Sequence, residues 1–472
     1  MRAIDKIYVD GAFVTPHGEE RFDLYNPSTG KVIGHVRLAD EVDARAAIAA
    51  AKRAFPSWSR TSKDERIAAL RRLRDAVAAK REALLDAVAE EYGAPMPRCS
   101  WMADMPPAAF QEAANTLQEF EFTRRAGSAT VVMEPLGVAG LITPWNSDAV
   151  FICGKLAAAL AAGCTAVLKP SEMSATQTHV LTEALHEAGL PKGVFNIVTG
   201  RGDVVGTELS RHPDIMKISF TGSTVVGKTI LREAAGTLKR VTLELGGKSP
   251  TIILEDADLN QALPMALNAG FLNSGQSCIA GTRILVPESK LQEVVETAKG
   301  LVDQFFRTGD PRDPATAIGP MVSQRQWERV QDYIRRGIEE GATVAVGGPG
   351  RPEGLDGYFV RPTLFSNVTN DMTIAREEIF GPVLSFITYR DEAEAIAIAN
   401  DTAYGLQAYV LSSNTEHGRT VASQIVAGRV LVNTLASDPK APFGGFKQSG
   451  LGRENGAFGM EAYLEPKSLL VG

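Results

Sequence analysis

The sequence predicts an α/β protein with at least two parallel-sheet units, on three observations. After Pro135, short apolar runs at 138–142, 165–168, 194–198 and 215–220 are separated by turns and by stretches with helical periodicity. Strands recurring with helices between them are βαβ units, which build parallel sheets. A second block of the same kind begins at 251–254 and recurs at 282–286, 383–386 and 428–432. Finally, 472 residues are too many for one hydrophobic core, and 44% apolar with 22% charged residues matches ordinary globular composition.

In chain order, residues 1–11 alternate charged and apolar side chains and lack the apolar core of a secretory signal. From 40 to 91 apolar residues recur at three- and four-residue steps among Ala, Arg, Lys and Glu, which predicts two long amphipathic helices. The apolar stretch around 156–162 is short and Ala-rich, well below the roughly 20 residues that cross a bilayer. Residues 347–357 are rich in Gly and Pro and read as a surface loop. The segment 443–456 is dense in glycine, which suggests close backbone approach, and 467–471 reads as a final strand.

A net charge of −7 disfavours nucleic acid or an anionic membrane as partner and leaves small molecules as the expected ligands. Four cysteines (Cys99, Cys153, Cys164 and Cys278) without a C-x-x-C pair fit a reducing cytoplasm rather than a disulfide framework. The six histidines show no metal-ligand spacing; His179 and His186 share a helical face but have no thiol or carboxylate companion, so no metal is expected.

One motif points elsewhere. Gly222-Ser-Thr-Val-Val-Gly227-Lys228-Thr229 matches the P-loop pattern, and Ile252-Ile-Leu-Glu-Asp256 imitates the acidic strand of a nucleotide hydrolase. The two lie only about one βα unit apart, and no base for phosphoryl transfer follows them. A strand-to-helix turn of Gly, Ser and Thr binds phosphate through helix amides without a lysine. Phosphate binding therefore stands as an expectation, and triphosphate hydrolysis does not.

Cys278 lies in Ser274-Gly-Gln-Ser-Cys278, where small residues let a ligand reach backbone and thiol. A lone cysteine is more often a small buried apolar residue. Its companions decide the matter: Glu244-Leu-Gly-Gly-Lys-Ser-Pro250 precedes it, Thr143-Pro-Trp-Asn146 ends one predicted strand and Lys169-Pro-Ser-Glu172 ends the next. With Phe220 to Thr224, Glu377-Glu-Ile-Phe-Gly-Pro382 and Pro442-Phe-Gly-Gly-Phe-Lys447, these are seven motifs in one order. In that order the chain resembles the aldehyde dehydrogenase superfamily over nearly its whole length.

The resemblance implies an aldehyde dehydrogenase-like fold. A doubly wound dinucleotide-binding domain would occupy 1–113 and 135–246, and an α/β catalytic domain 247–446. A small β oligomerisation arm with the C-terminal segment would occupy 114–134 and 447–472, giving a homodimer or homotetramer. It further implies that Cys278 attacks the aldehyde, that Asn146 and the Cys278 N–H hold the oxyanion, and that Glu244 activates the water that hydrolyses the thioester. Thr143, Trp145, Lys169, Ser171, Glu172, Gly222, Ser223, Glu378 and Phe380 would bind the cofactor. A carboxylate at Glu172 near the adenosine ribose favours NAD, with NADP left open because Lys169 offsets part of the repulsion.

Ser147, Ser277, Ile279 and Phe443 would line the substrate pocket. Ser147 stands where many members carry an aromatic, Gly154 where some are bulky, and the mouth loop reads Ala436-Ser-Asp-Pro-Lys440. The pocket is therefore expected to be wider and more polar than that of a short-chain acetaldehyde enzyme. Two rivals remain: a coenzyme A-acylating enzyme, against which Glu244 argues, and a non-catalytic protein on the same fold.

Overall fold

A computed structural model describes residues 2–471. Its largest sheet has eight strands, in the order Gly450–Leu451, Arg240–Glu244, Ile215–Thr221, Val138–Ile142, Thr165–Lys169, Phe195–Ile197, Ile7–Val9 and Ala12–Val14. The five from Arg240–Glu244 to Phe195–Ile197 are mutually parallel, and antiparallel strands close both edges. From Val138–Ile142 the chain winds outward through Thr165–Lys169 to Phe195–Ile197, then returns to the other side for Ile215–Thr221 and Arg240–Glu244. The strand order thus reverses between Val138–Ile142 and Ile215–Thr221, and ligands of open α/β sheets bind outside the carboxyl ends at such a point.

A second, seven-stranded sheet runs Thr343–Val346, Thr363–Ser366, Val383–Tyr389, Arg283–Pro287, Pro250–Ile253, Gln407–Leu411 and Arg429–Val432. All its pairings are parallel except that of the first strand. Residues 245–249 carry the chain from the carboxyl end of Arg240–Glu244 into the start of Pro250–Ile253, so the carboxyl edge of one sheet is joined to the amino edge of the other. Two small sheets complete the fold: Arg2–Ile4, Lys31–Arg37 and Arg21–Asn26, and Leu464–Leu469, Ala129–Pro135 and Thr123–Ala126.

The local sequence explains the elements. Val138–Ile142 and Thr165–Lys169 are buried along their full length, as strands covered on both faces must be. Between 40 and 91 the two long helices form as Glu41–Trp58 and Lys63–Ala79, each opened by a capping box, Asp40 with Asp43 and Ser62 with Glu65. The region also holds a short third helix, Arg81–Ala87, and a π-helical turn, Val88–Tyr92. Helix Asp148–Ala162 is apolar on nearly every side and buried accordingly. The C-terminal strand is Leu464–Leu469, earlier than the expected 467–471, because it already pairs from Leu464, opposite Pro135. No helix among the described residues is long and apolar enough to cross a membrane.

Candidate active site

The chain segments that follow the switch-point strands meet the segment carrying Cys278. Thr143, Pro144, Trp145 and Asn146 leave the carboxyl end of Val138–Ile142, and Thr143 N–H donates to the Lys169 carbonyl at 3.1 Å, tying two adjacent strand ends together. Asn146 is buried, and its Nδ2 donates to the Gln276 carbonyl at 3.0 Å, two residues before Cys278. Asn273 Nδ2 donates to the same carbonyl and to that of Asn146, each at 3.1 Å.

The nucleophile segment has an unusual backbone. Asn273, Ser274 and Gly275 take φ of 57°, 56° and 73°, three successive left-handed residues. Only glycine serves at 275, where a Cβ would also overlap the Gly381 carbonyl. Gln276 then clamps the segment from inside: its Nε2 donates to the Pro320 carbonyl at 3.2 Å and its Oε1 accepts from Val322 N–H at 2.9 Å. Ser277, Cys278 and Ile279 emerge half-buried in sequence. Burial pushes the Cys278 thiol up to about 12, and the carboxylates of Glu378 and Glu244 push the same way.

Glu244 ends its strand buried, and among the described residues no group hydrogen-bonds either carboxylate oxygen. Its side chain is seated against Gly444, where a Cβ would lie 2.8 Å from Oε1. Burial raises its pKa well above the ordinary carboxylate range, Glu454 adds to the rise, and Lys155 and Arg453 oppose it. Lys155, itself buried, donates to Ser219 Oγ at 3.0 Å and to Glu454 at 2.5 Å.

Backbone at Gly246 and Gly247 approaches both neighbours. Gly247 N–H donates to Glu378 Oε1 at 3.0 Å; a Cβ at Gly246 would overlap Glu378, and one at Gly247 the Cys278 carbonyl. Burial lifts Glu378 to about 7. Phe380, in a left-handed conformation at φ 64°, meets Trp145 edge-on with ring centroids 5.4 Å apart, and Gln326 Nε2 holds its carbonyl at 2.7 Å.

Lys169 and Glu172 pair at 3.2 Å just past their strand, and Ser171 caps the short helical turn Glu172–Ser174. Gly222 and exposed Ser223 form the turn into helix Thr224–Ala235; Ser223 Oγ accepts from Val226 N–H, and Gly222 N–H donates to the Glu244 carbonyl at 3.0 Å. Lys228 of the P-loop-like motif donates to the Gln448 side chain at 2.8 Å instead of lying over the turn's amides. This donor set fits a dinucleotide: free amides at a helix start for the pyrophosphate, and carboxylates at Glu172 and Glu378 for two riboses. Ser147 Oγ accepts from Arg98 at 3.3 Å, and Phe443 lies under the Arg429 guanidinium, 5.1 Å from its ring centroid.

Sequence reasoning assigned no role to Gln276, Arg98, Arg429, Lys155 or Glu454. Lys155 did carry a signal, as the lone basic residue of an otherwise largely apolar helix. The others are recognisable only by what they meet across the fold.

The aldehyde dehydrogenase family model matches residues 13–469. The chain is 48% identical to a 3-succinoylsemialdehyde-pyridine dehydrogenase of a Pseudomonas species, covering 100% of this chain and 99% of that protein. It is 44% identical to a putative aldehyde dehydrogenase of Staphylococcus haemolyticus, covering 99% of each. Among solved structures it is similar to aldehyde dehydrogenase C of Pseudomonas syringae, a cysteine-to-alanine variant with NAD+ and octanal, at 44% identity and a TM-score of 0.97 over 99% of this chain and 96% of that one. It is likewise similar to a Mycobacterium tuberculosis aldehyde dehydrogenase with NAD+, at 42% identity and a TM-score of 0.96 over 100% and 98%. Motif order, a doubly wound sheet facing a cysteine-bearing cleft, and matches across the full length agree: the chain belongs to the aldehyde dehydrogenase family.

Proposed function

We propose that the protein oxidises an aldehyde to the carboxylic acid with NAD, through a thioester on Cys278 that water hydrolyses. The observation that carries this reading is the convergence of Cys278, Asn146 and Glu244 on one cleft beside the Gly222–Ser223 turn. The Cys278 sulfur, its proton released to solvent water, forms a bond to the aldehyde carbon, and the carbonyl oxygen becomes an oxyanion. A free N–H of Asn146 Nδ2 and the Cys278 amide stabilise that charge in a buried setting. Bound NAD, held by Lys169, Glu172, Ser223 and Glu378, would supply the acceptor for the hydride that leaves the carbon as the oxyanion returns to the carbonyl of a thioester. Glu244 then takes a proton from water as the water oxygen attacks the thioester; the C–S bond breaks and the acid departs.

NAD is favoured over NADP because Glu172 presents a carboxylate where a 2′-phosphate would sit, while Lys169 neutralises it only in part. Both octanal in one relative and the substrate named for another exceed acetaldehyde in size, which supports a cleft open beyond a short alkyl chain. Glu244, with no protein partner at either oxygen, is placed to bind water, which favours hydrolysis over transfer to coenzyme A. Absorbance of NADH across a panel of aldehydes, with NAD and NADP compared, tests the reading. Turnover is expected with NAD and no added thiol; silence across the panel, or a requirement for coenzyme A, would overturn it.

A further inference from the structure

Among the described residues, two arginines close enough to Cys278 to feel its charge have no carboxylate partner. Arg98, third residue of helix Met96–Glu119, places one Nη2 hydrogen bond on Ser147, beside Asn146. Its guanidinium stacks over Trp101 with Cζ 3.8 Å from the ring centroid, and its buried Nε has no acceptor among the described residues. Arg429 opens strand Arg429–Val432. Only its Nε is engaged, donating to Gln407 Oε1 at 2.6 Å; Gln407 in turn donates to Tyr409, whose hydroxyl donates to the Ile279 carbonyl at 3.0 Å, next to Cys278.

Both cations feel the Cys278 thiol, and among the described residues no carboxylate offsets the burial of either. Burial lowers Arg98 to about 10 and lowers Arg429 as well, so both stay charged at neutral pH while lacking a counter-ion. Desolvated cations without an anion are unfavourable, and structures keep them where an anion is to be bound. A guanidinium offers its remaining N–H groups as a planar fork that matches a carboxylate.

Resting on the dehydrogenase reading above, we propose that Arg98 and Arg429 select aldehydes that carry a carboxylate at the far end of a short chain, the semialdehyde class. Asn146 and Cys278 take the aldehyde end. The two guanidinium groups meet the other end, with the Trp101 and Phe443 rings keeping them in place. The product is then a dicarboxylate.

Succinic semialdehyde and 4-oxopentanal test this, since they differ in whether the far carbonyl carbon bears an oxyanion or a methyl. For the wild type, kcat/KM is expected to favour succinic semialdehyde by at least tenfold. Arg98→Gln and Arg429→Gln should each lower that ratio by about tenfold, mainly through KM, as expected for loss of a charged hydrogen bond. Arg429→Lys should restore part of it by returning the charge without the fork. Raising sodium chloride from 0.05 to 0.5 M should shrink the wild-type ratio, a readout that needs no variant to fold. A wild-type ratio near or below one, or Gln variants that slow both aldehydes equally, would overturn the proposal, the latter assigning the arginines to Cys278 instead. NADH formation from both aldehydes without preference sinks only this inference, whereas none from either sinks the dehydrogenase reading with it.

Discussion

Glu244 and Cys278 face the same conflict with burial. Each must lose a proton to act, and each sits where burial and neighbouring carboxylates disfavour the anion. Raising Glu244 brings its basicity nearer that of the groups it must deprotonate, while lowering the ionised fraction at neutral pH. Activity is therefore expected to climb with pH from neutrality into the alkaline range, and a profile flat between pH 6 and 9 would contradict the assignment. Glu244→Gln should still release about one equivalent of NADH in rapid mixing, then turn over about a hundredfold to ten-thousandfold more slowly. The same variant tests the energetics. A carboxylate whose folded pKa is raised weakens the native state at pH values above its unfolded pKa, so Gln should stabilise by about 1–3 kcal/mol at pH 8, the usual penalty of an unmatched buried polar group. That gain, read as a higher Tm, should vanish as pH falls toward the ordinary carboxylate range. Cys278→Ala should abolish oxidation while leaving NAD binding by calorimetry nearly intact, and Cys99, Cys153 and Cys164 should tolerate Ser with turnover retained.

The three left-handed residues ahead of Cys278 set its position through backbone geometry rather than side-chain packing. Gly275→Ala adds a Cβ at φ 73° into the Gly381 carbonyl, which should cost more than about 1–3 kcal/mol. Thermal denaturation should show the lower Tm and turnover should collapse with it; a variant as stable and active as wild type would refute the geometry. At this scale the sequence was legible where strands are buried on both faces. Val138–Ile142 and Thr165–Lys169 read as unbroken apolar runs and stand where expected. Arg2–Ile4, Ile7–Val9 and Ala12–Val14 were missed because three residues are too few to display a period of two. The final strand starts earlier than the expected 467–471 because pairing with Ala129–Pro135 carries it through Pro466, which lies opposite Met133 in a sheet of three strands. The cysteine, the glutamate and the asparagine were legible through motif order. Arg98 and Arg429 belong to no motif, since their meaning arises only when a helix start and a strand start meet at one cleft.

Across the whole molecule, the sheet of Leu464–Leu469, Ala129–Pro135 and Thr123–Ala126 stands apart. Thr123–Ala126 is exposed at every residue, and Leu469, Leu470 and Val471 expose large apolar side chains. Strand edges left open in this way favour pairing with another copy of the chain. A dimer or tetramer is the expected state, and sedimentation that finds only monomer at micromolar concentration would count against it. Deleting residues 464–471 should shift the assembly toward monomer, with sedimentation as the readout.

The hydrogen bonds from Gly222 N–H to the Glu244 carbonyl and from Gly247 N–H to Glu378 tie three segments of the chain together, so the segments are expected to open as one. Local openings of that kind set the rate at which backbone amides take up deuterium. Adding NAD should therefore slow deuterium uptake at 220–224 and at 244–247 to a similar degree, although only the first segment is proposed to meet the phosphates. Uptake slowed at 220–224 alone would mean that cofactor and general base are held independently. Matched slowing would mean that an enzyme without cofactor keeps its hydrolytic machinery slightly loosened, and tightens it by loading.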